Sequence, residues 1–484
     1  MRVTLVHPTG SNWIPGKRDI TATANRMVPL GLLSMAAWLE KAGHQVSVID
    51  CLGPDAPAGT DRQVAAIIRQ RPDLVGVSAT TSGFLDGYEL ARGVKRQAPD
   101  TRIVFGGVHV SAMGAALLKR FADIDCLCMG EGETPLAGLA DGRALKDIDG
   151  LIWRGAGGAV VNPPGKPVAD LDDLPFPAYE KLAGFPRKYH LPLFSYVHRP
   201  GATLIASRGC PYQCSYCDRS VFQRGYRYNS AGYVYAHLKY LRRRFGIRHV
   251  NIYDDLFTLH RQRIFALCDQ LARRPLGMQF NCAVRVGHAD GELLDALKAA
   301  GCLMVSVGIE TGDAEMMDTH KPGVAIKAVQ DTVRRLRAKG LRVKGLFMMG
   351  LPGETEASIQ KTSDFVLSLE LDDMNMSKFT PFPGAPIWRR VHEEGVFTED
   401  WRQMNCLNFV YIPAGIDSRE TLDNLYNRHV KRFYTDKQWR RRFTRRLWQH
   451  RWSLWHLARH LPTFIEAKRA FEPDPEDPDS KNKE

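Results

Sequence analysis

The chain reads as an α/β protein: an N-terminal doubly wound, Rossmann-like sheet, then a partial (β/α)6 barrel, then a helical C-terminal segment. Three patterns carry that reading. Short apolar strands alternate with helical spacing through the first 150 residues or so. A second series of six strand–helix units begins at Ala202. From Lys431 to His460 there are ten Lys/Arg against a single acid, Asp436, with four tryptophans interleaved.

In chain order, Val3-Thr-Leu-Val-His7 is a strand stopped by Pro8, and Leu30 to Ala42 has helical spacing up to Gly43. Strands follow at Gln45–Ile49, Leu74–Ser78, Arg102–Phe105 and Cys126–Cys128. Small residues gather just beyond them: Ser78 and Thr80, Gly106-Gly107-Val-His109, and Gly130-Glu131-Gly132-Glu133. Parallel doubly wound sheets bind ligands at those strand ends. Residues 1–150 are one domain on this reading, and 151–195, rich in proline, a linker. Residues 196–395 form the barrel, with strands expected at Ala202–Ser207, His249–Asp254, Gln279–Ala283, Leu303–Ile309, Val343–Met349 and Met374–Thr380. Residues 396–471 form the basic helical region, and 472–484, rich in Pro, Asp and Lys, a disordered tail.

The 484 residues carry a net charge of +13 and 44% hydrophobic residues, ordinary for a folded chain of several domains. The longest apolar run, Ile103 to Leu118, is broken by Gly106, Gly107, His109 and Ser111, too short to span a bilayer. With no signal-peptide core at the N-terminus, a cytoplasmic location with reduced thiols is expected. The basic Trp-rich segment has two readings. As a solvated helical cap it is inert; as an amphipathic helix with Trp448, Trp452 and Trp455 on one face it touches an anionic membrane. Nucleic acid ranks behind both.

The sharpest signal is Arg208-Gly-Cys210-Pro-Tyr-Gln-Cys214-Ser-Tyr-Cys217, after the first barrel strand. Chance places this spacing about 0.004 times in a chain with ten cysteines. Disulfides are unsuited to a reducing compartment, and a structural zinc wants a fourth ligand that is not nearby. Three thiolates on one loop suit three irons of a [4Fe–4S] cluster, leaving the fourth iron open. The other cysteines, 51, 126, 128, 268, 282, 302 and 406, are read as core thiols, with Cys126 and Cys128 expected on opposite faces of their strand.

This Cys-x3-Cys-x2-Cys loop resembles that of the radical S-adenosylmethionine (SAM) enzymes. The resemblance implies that the open iron chelates SAM, whose reductive cleavage yields a 5′-deoxyadenosyl radical. Val305-Ser306-Val-Gly-Ile-Glu310, Gly345-Leu-Phe-Met-Met-Gly350 and Thr380-Pro-Phe-Pro-Gly-Ala-Pro386 are similar to that family's later strand motifs. They imply SAM contacts from Ser306, Glu310 and Gly350, with Tyr216 near adenine. Arg285 either pairs with the SAM carboxylate or forms a rim ion pair. Where the family has Gly-Gly-Glu, this chain has Tyr253-Asp254-Asp255, so either aspartate is a candidate for the SAM amino group.

The N-terminal half resembles the branch that carries a cobalamin-binding domain. That implies cobalamin contacts from Ser78, Thr80, Gly106, Gly107, Gly130, Glu131 and Gly132. His109 has two readings, a loop hydrogen bond or a corrin contact. The Asp-x-His-x-x-Gly motif that supplies a cobalt ligand elsewhere is absent. Within the branch, the chain is similar to the anaerobic magnesium-protoporphyrin IX monomethyl ester oxidative cyclases, to about residue 445. The resemblance implies an enzyme that oxidises or cyclises an organic substrate, a tetrapyrrole among the candidates, with an electron donor such as flavodoxin or ferredoxin. The alternatives are a cobalamin-dependent C-methyltransferase and, from another class, a non-catalytic iron–sulfur or cobalamin regulator.

Overall fold

A computed structural model describes residues 1–10 and 23–465; the expected disordered tail lies outside them. Five parallel strands, β1 (Arg2–His7), β2 (Gln45–Asp50), β3 (Leu74–Ser78), β4 (Arg102–Gly106) and β5 (Cys126–Cys128), make the first sheet. It continues through antiparallel β6 (Leu151–Gly155) and β7 (Gly158–Val161), in the order β2-β1-β3-β4-β5-β6-β7. The order reverses between β1 and β3, which opens a crevice beyond their C-terminal ends. Strand alternation feeds two cores. Val75, Val77 and Phe105 meet Val64, Ile67, Leu90 and Val94 on one face. Val3, Leu5 and Val104 meet Leu32, Ala36, Leu39 and Leu139 on the other.

Two expectations need correcting. Cys126 and Cys128 share one core and Leu127 faces the other, because residues two apart on a strand point the same way. The span 151–195 is not a free linker. Its first residues are β6 and β7, and its aromatic residues Tyr179 and Tyr189 are buried in the core of the next domain.

The second sheet runs β8 (Gly201–Leu204), then, after a short antiparallel pair β9 (Ser207–Arg208) and β10 (Arg227–Tyr228), β11 (His249–Ile252), β12 (Gln279–Val284), β13 (Cys302–Glu310), β14 (Arg342–Met349) and β15 (Asp373–Lys378). The six long strands are parallel and in sequence order, with no pairing of β8 to β15, so the barrel is open on one side. The first strand stops at Leu204, short of the expected Ser207. Beyond it the Asp254 carboxylate takes Ala206 N (2.6 Å) and the Ser207 hydroxyl (2.7 Å), which draws the chain off the sheet. Val305, Val307 and Ile309 fill the outer core, which leaves Ser306, Gly308 and Glu310 on the inner face.

After a hairpin, β16 (Gly395–Phe397) with β17 (Tyr411–Pro413), the C-terminal region is helical, but not one helix. Asp436 ends helix Arg419–Thr435 and caps Lys437–Thr444 through Trp439 N (2.7 Å); a tight turn over Leu447–His450 precedes Arg451–Arg459. The tryptophan stripe is therefore split. Trp448 (71%) and Trp455 (54%) are exposed, whereas Trp452 lies under the Arg199 guanidinium at 3.8 Å. No helix among the described residues is long and apolar enough to cross a membrane.

Candidate functional site

The cysteine loop leaves β9 at Gly209, whose φ of +86° and close approach suit only glycine. A Cβ there would lie 1.8 Å from Gly225 O. Segments beyond two later strands grip it, and a third braces His320 from behind. Ser215 N donates to His320 O (3.0 Å), and Ile387 N donates to Ser215 O (3.0 Å). Burial lowers the His320 pKa, keeping the ring neutral; Nε2–H donates to Pro352 O (2.8 Å), so Nδ1 accepts the Ser215 hydroxyl (2.7 Å). Gly384, beyond β15, lets Asp218 and Ser220 pack against its bare Cα.

This brings Cys210, Cys214 and Cys217 together as partly exposed free thiols at the C-terminal end of the barrel. Burial, then the neighbouring Cys214, pushes Cys217 up to about 12, and burial raises Cys210 too. No three His, Cys, Asp or Glu among the described residues converge as a mononuclear metal site. A cubane takes one thiolate per iron, so three adjacent thiols on a clamped loop fit it without a common centre. Of the other cysteines, six are buried core thiols and Cys406 is partly exposed.

The residues expected around SAM surround this loop unequally. Arg285 Nη1 lies 3.8 Å from Cys214 Sγ, and its guanidinium stacks on Tyr212 at 3.7 Å. Asp254 is 6% exposed and spent on Ala206, Ser207 and the nearby Arg263; burial pushes it up to about 6. Among the described residues Asp255 accepts only from Gly209 N (3.2 Å), and it adds to the negative field at Cys210 and Cys217. Glu310, at a φ of +71°, pairs with Lys321 Nζ (2.8 Å). Tyr216 is near Cys214 and Glu310, and burial holds its hydroxyl protonated. Ser306 is half-buried on the inner face. Gly350 turns away: its Cβ would press Phe409 at 3.0 Å, and its N–H donates to Glu354 (2.5 Å).

At the C-terminal ends of the first sheet is a cavity walled by Ser78, Gly106, Gly107, Gly130, Glu131 and Gly132, with Met35 and Phe222 among its apolar residues. Gly107 (φ +99°) seats this wall, since a Cβ would strike Ala79 O at 2.9 Å. Thr80 does not line the cavity; it is exposed. Neither does His109. Helix Val108–Met113 turns its ring between Phe84 (4.8 Å) and Trp401 (4.4 Å), bonded to Thr81 Oγ1 (3.1 Å) and pushed down to about 4 by burial. The hydrogen bond to Thr81 is present, and the ring faces away from this cavity. Side-chain-free strand ends facing apolar residues suit a flat macrocycle with polar edges.

Sequence reasoning missed what joins the two domains. Arg208 Nη1 meets Glu131 Oε2 (2.7 Å) and its Nη2 meets Glu133 Oε1 (2.5 Å), while Arg227 also grips Glu131. The acids are 6% and 1% exposed at the side chain, so two buried carboxylates in Gly-Glu-Gly-Glu were the available signal that two bases had to come from elsewhere.

Residues 17–140 match the B12 binding domain family and 204–366 the radical SAM superfamily. An uncharacterized methyltransferase of Pyrococcus horikoshii is 29% identical, over 84% of this chain and 87% of its own. The anaerobic magnesium-protoporphyrin IX monomethyl ester cyclase of Rubrivivax gelatinosus is 26% identical, over 90% and 78%. The radical SAM methyltransferase TsrM from Kitasatospora setae, solved with cobalamin and a [4Fe–4S] cluster, shares the fold at a TM-score of 0.68 and 20% identity, covering 89% of this chain and 88% of that one.

Proposed function

From the premise that this chain carries a B12-binding domain ahead of a radical SAM domain, and is a cobalamin-dependent radical SAM enzyme, we propose that it is a methyltransferase. One observation carries this reading: the sheet-end cavity adjoins a second cavity at the barrel mouth, the two sharing Gly31, Arg208 and Phe222 as walls. Oxidation or cyclisation, placed first from the sequence, needs only the cluster end of the barrel. A relayed group needs a carrier and an acceptor in adjoining sites.

Cys210, Cys214 and Cys217 would hold the cluster, and the glycine-walled cavity the corrin. When bound, these groups supply an electron, an open iron for SAM and a carrier for its methyl group. The protein's part is positional. Asp255, with carboxylate capacity to spare, would take the SAM amino group, because Asp254 is consumed in bracing the first strand. Arg285 would take the SAM carboxylate. Tyr216 and the inner-face Ser306 and Glu310 would border the nucleoside, and the Gly350 turn would shape that wall from behind. An acidic flavodoxin or ferredoxin would deliver electrons to this +13 chain.

Anaerobic incubation with SAM, a reductant and cobalamin separates the readings. Methyl transfer predicts S-adenosylhomocysteine; 5′-deoxyadenosine without it would return the enzyme to oxidation or cyclisation, the reading its similarity to the cyclase favours. Asp255→Asn should weaken SAM binding about tenfold with iron content unchanged, a charge-assisted bond being worth ~1.5–3 kcal/mol.

The C-terminal face supports peripheral contact with an anionic membrane. Trp448 and Trp455 stand exposed, and the Arg459 guanidinium lies 5.2 Å from the Trp455 ring. Each basic residue near such a surface adds about 1 kcal/mol. Sedimentation with anionic vesicles should fall at least about tenfold in a Trp448→Ser/Trp455→Ser variant; equal sedimentation would leave this face a solvated cap.

A further inference from the structure

The barrel-mouth cavity exposes more apolar than polar surface, with Leu30, Leu174, Ile205 and Phe222 among its apolar residues. Its polar residues are nearly all committed. Ser207 donates to Asp254, Asn229 to Leu171 O (2.7 Å) and Tyr233 to Leu174 O (2.9 Å). Arg208 is neutralised by Glu131 and Glu133. His237 is bonded to the Tyr179 hydroxyl (3.2 Å) and stacked on Phe176 at 4.7 Å, sealed from water and so uncharged. Asp255 is assigned above to SAM. No charge is left over for a substrate.

One lining group is held ready. Asn281 (4% exposed) spends both amide hydrogens, on Ser195 O and Asn251 Oδ1 (2.8 Å each). Asn251 (6% exposed) is thereby oriented to donate to the Tyr253 hydroxyl at 3.0 Å. The Tyr253 oxygen is thus an acceptor, and its own proton has no acceptor among the described residues. Tyr253 is 41% exposed and Ile205 beside it 45%, high for residues at the ends of β11 and β8 in a barrel mouth. Ser34 is the other lining hydroxyl with no partner among the described residues.

We propose that this cavity binds the acceptor molecule, and that the acceptor is neutral and largely apolar, anchored by an oxygen lone pair on the Tyr253 hydroxyl. The word acceptor rests on the methyltransferase reading; occupancy of the cavity does not. Tyr253 is a positioning residue, oriented through Asn251 and Asn281. A zwitterionic amino acid is excluded as substrate, because it would leave two charges unpaired in an apolar space.

Equilibrium dialysis under anaerobic conditions tests this on protein reconstituted with iron, sulfide and cobalamin and saturated with SAM, so that Asp255 is engaged. The probes are prodan, a neutral naphthyl ketone, its ketone-free parent 2-dimethylaminonaphthalene, and free tryptophan. Prodan and its parent should bind and tryptophan should not. Tyr253→Phe should weaken prodan about fivefold to tenfold, the worth of one hydrogen bond, and leave the parent unchanged. Ile205→Glu should weaken both; its iron and corrin contents report folding, and if they fall, Tyr253→Phe alone decides. Equal loss of both probes in Tyr253→Phe, no loss in either variant, or tryptophan binding as tightly as prodan would overturn the proposal. None of these readouts depends on methyl transfer, so failure of that reading is told apart.

Discussion

Glu354 sits beneath the turn at Gly350 and takes Gly350 N and Leu351 N on one oxygen (2.5 and 3.1 Å). Burial pushes its carboxyl from 4.5 up to about 8. Between those values the folded chain holds a proton that the unfolded chain has released, so stability falls as pH rises, by up to about 1.4 kcal/mol per unit, and levels off above pH 8. Asp254, pushed up to about 6, adds a slope of the same sign that ends near pH 6. Buried neutral histidines, His109 and His237 among them, raise stability over the lower part of this range in both proteins, so the Glu354 slope is read as a difference: from pH 6 to 8 the thermal midpoint of Glu354→Gln should gain steadily on that of the wild-type holoprotein. Matching profiles would show that the carboxyl is ionised throughout. Residues of this kind were hidden in the sequence. Asp254 and Asp255 are adjacent and chemically identical there; only the peeled end of β8, which claims one of them, tells them apart. His109 likewise beckons from a glycine-rich loop until its helix turns it into the Phe84–Trp401 cluster.

Helices and strands were far more legible. Each sequence-expected strand of both parallel sheets is present, with ends displaced by no more than a few residues, because apolar runs bounded by Gly, Asp and Pro admit little else. The hairpin β6–β7 was lost to the prolines that follow it. The basic C-terminal stretch kept helical composition while Asp436, an N-cap in mid-run, broke it. That broken stretch is docked through Asp372, whose carboxylate binds Val343 N (2.9 Å), Arg337 (2.8 Å) and Arg446 (2.5 Å) and whose carbonyl takes the Trp439 indole N–H (3.0 Å). Asp372→Asn leaves Arg446 without its counter-charge and Arg337 with Glu370 alone (3.6 Å), and should cost about 2 kcal/mol in urea unfolding. Limited proteolysis should then cut first near Arg445 and Arg446; an unchanged cleavage pattern would show that the C-terminal helices are anchored elsewhere.

Across the whole molecule, the two domains meet through the buried quartet of Glu131, Glu133, Arg208 and Arg227. Arg208 stands two residues before Cys210 and lines both cavities, so the sheet-end cavity and the cysteine loop are tied by one guanidinium. Arg208→Gln strands Glu133 and should lower stability by about 3 kcal/mol, and Glu133→Gln in the same chain should recover part of it. Additive losses in that cycle, read from thermal midpoints, would mean the charges do not sense each other. The quartet also imposes an order of events during synthesis. Glu131 leaves the ribosome 96 residues ahead of Arg227. At about 5–20 residues per second, the first sheet waits roughly 5–20 s with two carboxylates turned toward a neighbour that has not yet been translated. For that interval water must solvate them, and the cavity at the strand ends stays open. The nascent domain closes only when the cysteine loop has emerged, so the glycine-walled cavity and that loop are completed together.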